Sequence, residues 1–462
     1  MEVNDGLTRR QALATAAAAA VGPFVVPATA LGDGKVPAAS DRVTLGLIGC
    51  GLHGAGWNLD QAFRCLDAQV VAVCDVDDAR TAAAKTRVER HYRERYGKSY
   101  RGCRAYGDFR ELIRCKDIDA VMVCTPDHWH VIPALMAALA GKDVLCEKPL
   151  TLTVAEGRRL ADTIAKTKRI FQTASENRSI DTYIRTIELV RNGVIGKLRH
   201  IDVSLPGGNE KRGDNFTEMK EQPPPKGFNY EMWQGQAPLA PYCPARCHGS
   251  FRWNLAYSGG RLTDWGAHMI DLAQWGNDTE GTGPVEVAGK GEFPPRTELY
   301  NTAEAFDLTY RYANGVTMRV VSKGPGIRFI GSDGWVGFTG WRAPLQASRP
   351  EILEAKLGSK AVQVYRPSEV VPRTEGHKGG EYRNFIDCVK SRKPCYAPAE
   401  TGHRTISVAH IGNIAMLLGR KLKWDPAAER FVGDDQANGM LSRKQREPWT
   451  MDNVERWLAE RS

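Results

Sequence analysis

Past its first thirty residues the chain has no uncharged apolar run long enough to cross a membrane, which excludes a polytopic membrane protein. No segment repeats at a fixed period, so a solenoid or propeller is excluded too. The eleven cysteines are odd in number and lack framework spacing, which argues against a disulfide scaffold. Cys74, Cys124 and Cys146 instead fall in or beside apolar runs that read as buried strands, where a thiol serves as a small hydrophobe. That usage agrees with folding in a reducing compartment. The segment CPARCH gathers Cys243, Cys247 and His248, but it lacks a fourth soft ligand nearby, so no metal site is expected. Net charge is +9, from 63 Lys and Arg against 54 Asp and Glu. The densest basic run, KTRVERHYRERYGKSYRGCR from Lys85, accompanies no nucleic-acid motif. It reads as a solvated helix face, and no nucleic-acid partner is expected.

What is present begins with TRRQALATAAAAAVGPFVVPATALG, residues 8 to 32. Arg9 and Arg10 precede a mildly apolar, alanine-rich run from Ala12 to Ala30 that ends in ATA, a small-x-small cleavage pattern. This predicts an export signal over residues 1–30, with a linker or arm over 31–41. Paired arginines before a weakly apolar core point to the twin-arginine route, which carries folded proteins and places the mature chain in the periplasm or otherwise outside. Ala12 stands where a large apolar residue is usual. Glycine and two prolines disfavour a spanning helix, so membrane association is expected only if the signal stays uncleaved.

From Val43 the pattern changes. VTLGLIG is a short apolar strand, GCGLHG follows with Gly49, Gly51 and Gly54 around Leu52 and His53, a helix is predicted from Ala55 to about Leu66, and QVVAVCD is a second strand ending at Asp75. The glycines permit a tight turn and a close approach to a pyrophosphate, which the following helix N-terminus then faces. Asp75, twenty-one residues after Gly54, is placed to accept ribose hydroxyls. A 2'-phosphate would meet Asp75, Asp77 and Asp78, which favours NAD over NADP. Strands AVMVCT, DVLCE and IFQTA alternate with helices around Asp108–Arg114, Val131–Ala140 and Val154–Thr167. The expected fold class is therefore α/β: a doubly wound parallel sheet over residues 42–174, with ligand at its carboxyl edge. TPDHWH (125–130) and EKP (147–149) follow strands and so lie at that edge.

Residues 175–462 read as a second α/β domain. Helix DTYIRTIELVRNG leads into alternating stretches LRHIDVSL, AEAFDLTYRY and VTMRVVS, which predict antiparallel strands covered on one face. A long proline-rich loop from Pro206 to Ser250 is too extended to be a mere connection and reads as functional or as an oligomer arm. In GGRLTDWGAHMIDLAQWG, Asp264 and His268 are four apart and share a helix face, with Asp271 three further on. A carboxylate beside an imidazole orients it and favours its protonated form, which suits a general base for an alcohol; Asp264 could instead cap the helix.

Together GCGLHG, CTPDHWH, EKPL and LTDWGAHMIDLAQW resemble the glucose-fructose oxidoreductase and inositol dehydrogenase family, Gfo/Idh/MocA, over nearly the whole mature chain. The resemblance implies a Rossmann domain followed by an α/β domain with an open, mostly antiparallel sheet, used for homo-oligomers such as dimers or tetramers. It makes Lys148, Asp264 and His268 the catalytic positions. Glu147, with Thr125, Pro126, His128, Trp129 and His130, would border the nicotinamide. ENRS (176–179) departs from relatives' substrate-proximal stretch; Arg178, Tyr183, Arg252 and Trp253 are taken as sugar contacts beside His268. The implied chemistry is hydride transfer between NAD and a secondary carbinol of a sugar, polyol or glycoside, with His268 taking the hydroxyl proton, Lys148 stabilising the alkoxide, and Asp264 holding His268 or a neighbouring hydroxyl. Export adds a condition, because outside the cytoplasm a diffusing cofactor would not be renewed; the bound NAD must be recycled in place. Coupled oxidation and reduction of two sugars meets that condition. So does glycoside hydrolysis through transient oxidation, elimination and re-reduction. A non-catalytic dinucleotide-binding regulator is the reading from another class.

Overall fold

The computed structural model describes residues 37–97, 100–208, 218–364 and 380–460. The expected export signal over 1–30 and most of the linker over 31–41 lie outside the described residues. Residues 1–42 form a unit of their own, of which only 37–42 are described, with one 3-10 turn at Ala39–Asp41.

The apolar run VTLGLI becomes β1 (Val43–Ile48), covered on both faces as a parallel interior strand requires. The sheet continues with β2 (Ala68–Cys74), β3 (Arg104–Tyr106), β4 (Ala120–Val123), β5 (Asp143–Cys146) and β6 (Phe171–Thr173). All its pairings are parallel, in the order β3-β2-β1-β4-β5-β6. Strand order reverses between β1 and β4, so a crevice opens beyond their carboxyl ends. The connecting helices are α1 (Leu59–Arg64), α2 (Asp78–Tyr96), α3 (Phe109–Arg114), α4 (Val131–Leu139) and α5 (Val154–Thr167). The chain departs from the expected helix over Ala55–Leu66: it first makes a wide π-type turn over Leu52–Asn58, in which the Leu59 N–H reaches back five residues to the Gly54 carbonyl. Gly54 and Gly56 carry no side chains to hold the tighter spiral. The basic run lies on α2, whose Lys85 and Arg93 both pair with Glu89.

After α6 (Asp181–Arg191) comes a nine-stranded sheet built from β7 (Leu198–Leu205), β8 (Pro284–Glu292), β9 (Ala305–Tyr312), β10 (Thr317–Ser322), β11 (Gly326–Gly331), β12 (Trp335–Phe338), β13 (Gln346–Ala347), β14 (Leu422–Asp425) and β15 (Arg430–Phe431). Its order is β13-β12-β11-β7-β10-β9-β8-β14-β15, antiparallel except for the β7–β10 pair. On β9 the alternation is strict: Phe306, Leu308, Tyr310 and Tyr312 are buried, while Asp307, Thr309 and Arg311 face out. The buried face packs on α7 (Gly266–Gly276) and α9 (Ala399–Leu418), while α8 (Gly380–Ser391) packs against the first sheet. No helix among the described residues is long and apolar enough to cross a membrane.

Candidate active site

The crevice beyond β1 and β4 is built from the glycine turn. Gly49 has φ of +96°, and a Cβ there would lie 2.5 Å from the Cys124 carbonyl oxygen; a Cβ on Gly54 would lie 2.0 Å from the Gly49 carbonyl oxygen. Side chains are therefore excluded from both, and backbone stays open to a ligand. At the end of β2, Asp75 accepts the N–H of Cys50 at 2.6 Å and of Asp77 at 3.0 Å, so it ties the turn to the strand tip while still facing the cleft. Burial raises its carboxyl to about 6, against the lowering effect of those two N–H groups. Gly51, Leu52 and His53 complete that wall, and Thr125, Pro126 and Trp129 form the opposite one. Thr125 Oγ1 is buried with no partner among the described residues, a hydroxyl waiting for one. A cradle without side chains, an acidic strand tip and an unpaired hydroxyl fit an NAD.

His128 and His130 do not line this cleft. His128 Nε2 lies 2.9 Å from the Trp233 carbonyl oxygen, and burial holds its ring neutral, down at about 3. His130 spans the carbonyls of Pro149 (2.7 Å) and Thr125 (2.8 Å), and so clips the TPDHWH turn to the EKP turn. Trp129, Trp233 and Tyr257 surround the His128 ring, and both histidines position backbone rather than ligand.

A strap closes the outer side. Asp78 N–H bonds to the Gly227 carbonyl and Asn229 N–H to the Val76 carbonyl, each within 2.9 Å, joining residues 227–229 to the tip of β2. Phe228, His248, Phe251 and Arg252 then line the cleft. This is the proline-rich loop, of which residues 209–217 lie outside the description. Cys243 and Cys247 are buried among its aromatic residues.

From the glycine turn, His53 Nε2 reaches Glu147 Oε1 at 3.0 Å. Burial would raise the Glu147 carboxyl, but His53 and then Lys148 outweigh it and bring it to about 2. Lys148 Nζ donates to Asp264 Oδ1 at 2.9 Å, and Arg252 Nε stands 3.4 Å from the same oxygen. Against the upward push of burial, Lys148 and Arg252 hold Asp264 far below the usual carboxylate range. Asp264 ends a short helical turn, Arg261–Asp264, and α7 starts afresh at Gly266, so the expected continuous helix is broken at Trp265. Asp264 therefore pairs with Lys148 and Arg252, and no hydrogen bond joins it to His268.

His268 is buried, and its Nδ1 has no partner among the described residues. Burial and the charge of Lys148 lower it to about 3, against the pull of Asp264, so the ring is neutral rather than protonated as the sequence suggested. Trp341 and Trp265 flank it, with ring centres 5.0 Å and 6.1 Å away. Trp341 is set by Tyr183, whose hydroxyl accepts the Arg342 N–H at 2.8 Å and whose ring stacks on Phe338. Nothing periodic in GWRAP marks Trp341, so sequence reasoning missed it. It also missed Glu381, whose buried carboxyl is pushed well up, first by burial and then by the charges of Glu147 and Glu176.

The remaining expected sugar contacts divide. Arg252 joins the Lys148–Asp264 pair. Arg178 does not reach it: its guanidinium, 2% exposed, is fully engaged by both Asp271 oxygens at 2.8 Å, Glu280 at 2.6 Å and the Tyr396 carbonyl. Tyr183 is buried behind Trp341, and Trp253 lies under the Arg261 guanidinium, 4.5 Å from it. These three build the scaffold.

With this geometry in view, comparison with known proteins is decisive on family. Residues 43–175 match the oxidoreductase family's NAD-binding Rossmann fold, and residues 180–334 with 371–451 match its C-terminal alpha/beta domain. The chain belongs to the Gfo/Idh/MocA oxidoreductase family. Within the family, it is 32% identical over 167 residues to glycosyl hydrolase family 109 protein 2 of Shewanella sp. ANA-3, 36% of each chain. It is 32% identical over 156 residues to inositol 2-dehydrogenase 2 of Saccharopolyspora erythraea, 34% of this chain and 42% of the relative. The chain thus spans less than half the length of these curated relatives. The solved aldose-aldose oxidoreductase of Caulobacter crescentus shares the Gfo/Idh/MocA fold, with TM-score 0.59, 20% identity, and coverage of 83% of this chain and 99% of that one.

Proposed function

We propose that this protein is an NAD-dependent oxidoreductase acting on a secondary hydroxyl of a sugar, polyol or glycoside, with its cofactor retained and recycled. The observation that carries the reading is the Lys148–Asp264 pair beside a neutral, buried His268 whose Nδ1 is unpaired. A neutral imidazole can take a hydroxyl proton, and the Lys148 ammonium can donate to the oxygen as it becomes an alkoxide. NAD, when bound, accepts the hydride that leaves the carbinol carbon. Asp264 holds Lys148 in place through a charge-assisted hydrogen bond, with Arg252 beside it. Trp341 and Trp265 offer flat apolar faces beside His268 for the C–H face of a ring substrate.

Retention rests on the strap. Its two backbone bonds to the tip of β2 hold residues 227–229 along the cleft's outer side, which supports slow release of a bound dinucleotide. The likeness to a family 109 glycosyl hydrolase favours a second reading at the same site, in which oxidation is transient and the net reaction is hydrolysis. We also propose export of the folded chain through Arg9 and Arg10, and a homo-oligomer formed on the outward face of the nine-stranded sheet.

The deciding experiment purifies the exported protein without added nucleotide, releases and identifies any bound ligand, and follows reduced-nicotinamide absorbance as sugars and glycosides are added. Stoichiometric NAD that cycles without exchanging supports the proposal, and free aglycone from a glycoside selects the hydrolytic form. A protein that arrives empty and turns over only with added NAD overturns retention.

A further inference from the structure

A second cavity, of about 590 Å³, shares two chain segments with the active site. Thr153 in its wall lies five residues past Lys148, and Gly259 lies five residues before Asp264. Yet its chemistry is separate. Two guanidinium groups, Arg296 and Arg443, face into it, and neither has a carboxylate within ion-pair distance among the described residues. Arg443 donates to the Leu255 carbonyl. Glu156 is not available to neutralise them at contact. Its Oε2 accepts the N–H groups of Leu152 (2.9 Å) and Thr153 (3.0 Å), and its Oε1 faces Gln445 at 3.4 Å.

The same wall holds unpaired neutral groups. Gln236, 5% exposed, has neither amide atom hydrogen-bonded among the described residues, and Asn413, 7% exposed, has its Oδ1 unpaired. Buried polar atoms without partners are unfavourable, whereas Arg296 and Arg443 are both exposed and present hydrated charges at the cavity mouth. An anion bearing hydroxyl groups matches both features: an oxyanion for the two exposed guanidinium groups and hydroxyls for the unpaired amides of the wall.

We propose that this cavity is a second binding site, for a small polyhydroxylated oxyanion such as a sugar phosphate or sugar acid. Arg296 and Arg443 hold the anionic group, and Gln236 and Asn413 take hydroxyls. The site is wired to the catalytic segments. His410, in the wall, lies 3.0 Å from the Thr151 carbonyl oxygen, and Asn413 Nδ2 donates to the Gly259 carbonyl at 3.0 Å. Occupancy therefore bears on the carbonyls next to the two strands of chain that hold Lys148 and Asp264.

The test is isothermal titration of the full chain with glucose 6-phosphate, gluconate, inorganic phosphate and glucose at matched ionic strength. Saturable binding of glucose 6-phosphate or gluconate to a single site is expected, weakened at least about tenfold in R296M and in R443M. Which of the two binds more tightly separates a phosphate from a carboxylate source. K148M is expected to bind them as the unaltered chain does, since that residue lies outside the cavity. Should R443M fail to fold, R296M, on the exposed rim, decides. The proposal falls if no probe binds, if glucose binds as well as its phosphate, if inorganic phosphate alone matches glucose 6-phosphate, or if both arginine variants keep full affinity. Because the readout is heat and needs no turnover, its failure is distinct from failure of the oxidoreductase reading.

Discussion

Two buried cation–carboxylate pairs draw their carboxylates, Asp264 and Asp271, from one stretch of chain seven residues apart, and they differ in what is left over. Around Arg178 and Asp271 the guanidinium nitrogens are all engaged, by two carboxylates and a carbonyl, and both side chains are 2% exposed. Around Lys148 and Asp264 the set is incomplete: the side chains are 14% and 9% exposed, and the neighbouring His268 keeps an unpaired ring nitrogen. Saturation marks the pair that holds the fold. Incompleteness marks the pair that can take a substrate oxygen. A charge in a motif-bearing stretch is therefore no guide to role until its hydrogen bonds are counted.

The comparison is broken most sharply by exchanging the outcomes. K148M and H268N should each lower turnover by about 10²–10⁴ while shifting the thermal midpoint little, since on the proposed mechanism each removes a group acting on the reacting oxygen. Single-turnover reduction of bound cofactor measures this. R178M should do the reverse, costing about 3–5 kcal/mol of stability by stranding Asp271, with turnover per folded molecule largely kept. Denaturant unfolding beside active-site titration separates the two; a catalytic collapse without destabilisation would reverse the assignment.

A smaller effect is expected from pH. The Asp75 carboxyl is raised from 3.8 to about 6, so the folded, empty protein binds its proton more tightly than the unfolded chain does. The stability tied to this proton is present below pH 3.8 and is lost as pH rises through 6. Only the ionised form accepts both ribose hydroxyls, so NAD affinity should weaken as pH falls below about 6, and D75N should flatten that dependence. Fluorescence titration with NADH across this interval measures it. The smallest effect belongs to W341A, expected to raise KM for ring substrates severalfold, about 1 kcal/mol, with kcat nearly unchanged. An equal loss in kcat would mean that Trp341 instead positions His268.

Much of the first sheet was legible because its signals are local. Strand β1, the glycines and Asp75 follow one another within a single βαβ unit, and α5 runs over Val154–Thr167 as read, with Thr153 and Glu156 forming a capping box. The pairing of Lys148 with Asp264 was legible only as two candidates, since 116 residues separate them and nothing local states their distance. Arg178, Tyr183 and Trp253 were misjudged for the same reason: what buries them is Asp271, Phe338 and Arg261, supplied from elsewhere in the chain. Trp341 was invisible because a loop residue carries no periodicity. The break at Trp265 was missed because the heptad-like spacing of Asp264, His268 and Asp271 reads equally well through it.

The strap has a consequence in the time domain. Asp78 and Asn229 donate their amide protons across its seam, so if a bound dinucleotide leaves by lifting the strap, as proposed, that opening exposes those two amides to solvent. On the proposed retention, nucleotide loss is a local unfolding event whose rate depends on the free energy of that opening as well as on contacts to the nucleotide. Native-state hydrogen exchange at these two positions should report the same opening free energy as cofactor dissociation, so a clock for cofactor lifetime is written in the backbone.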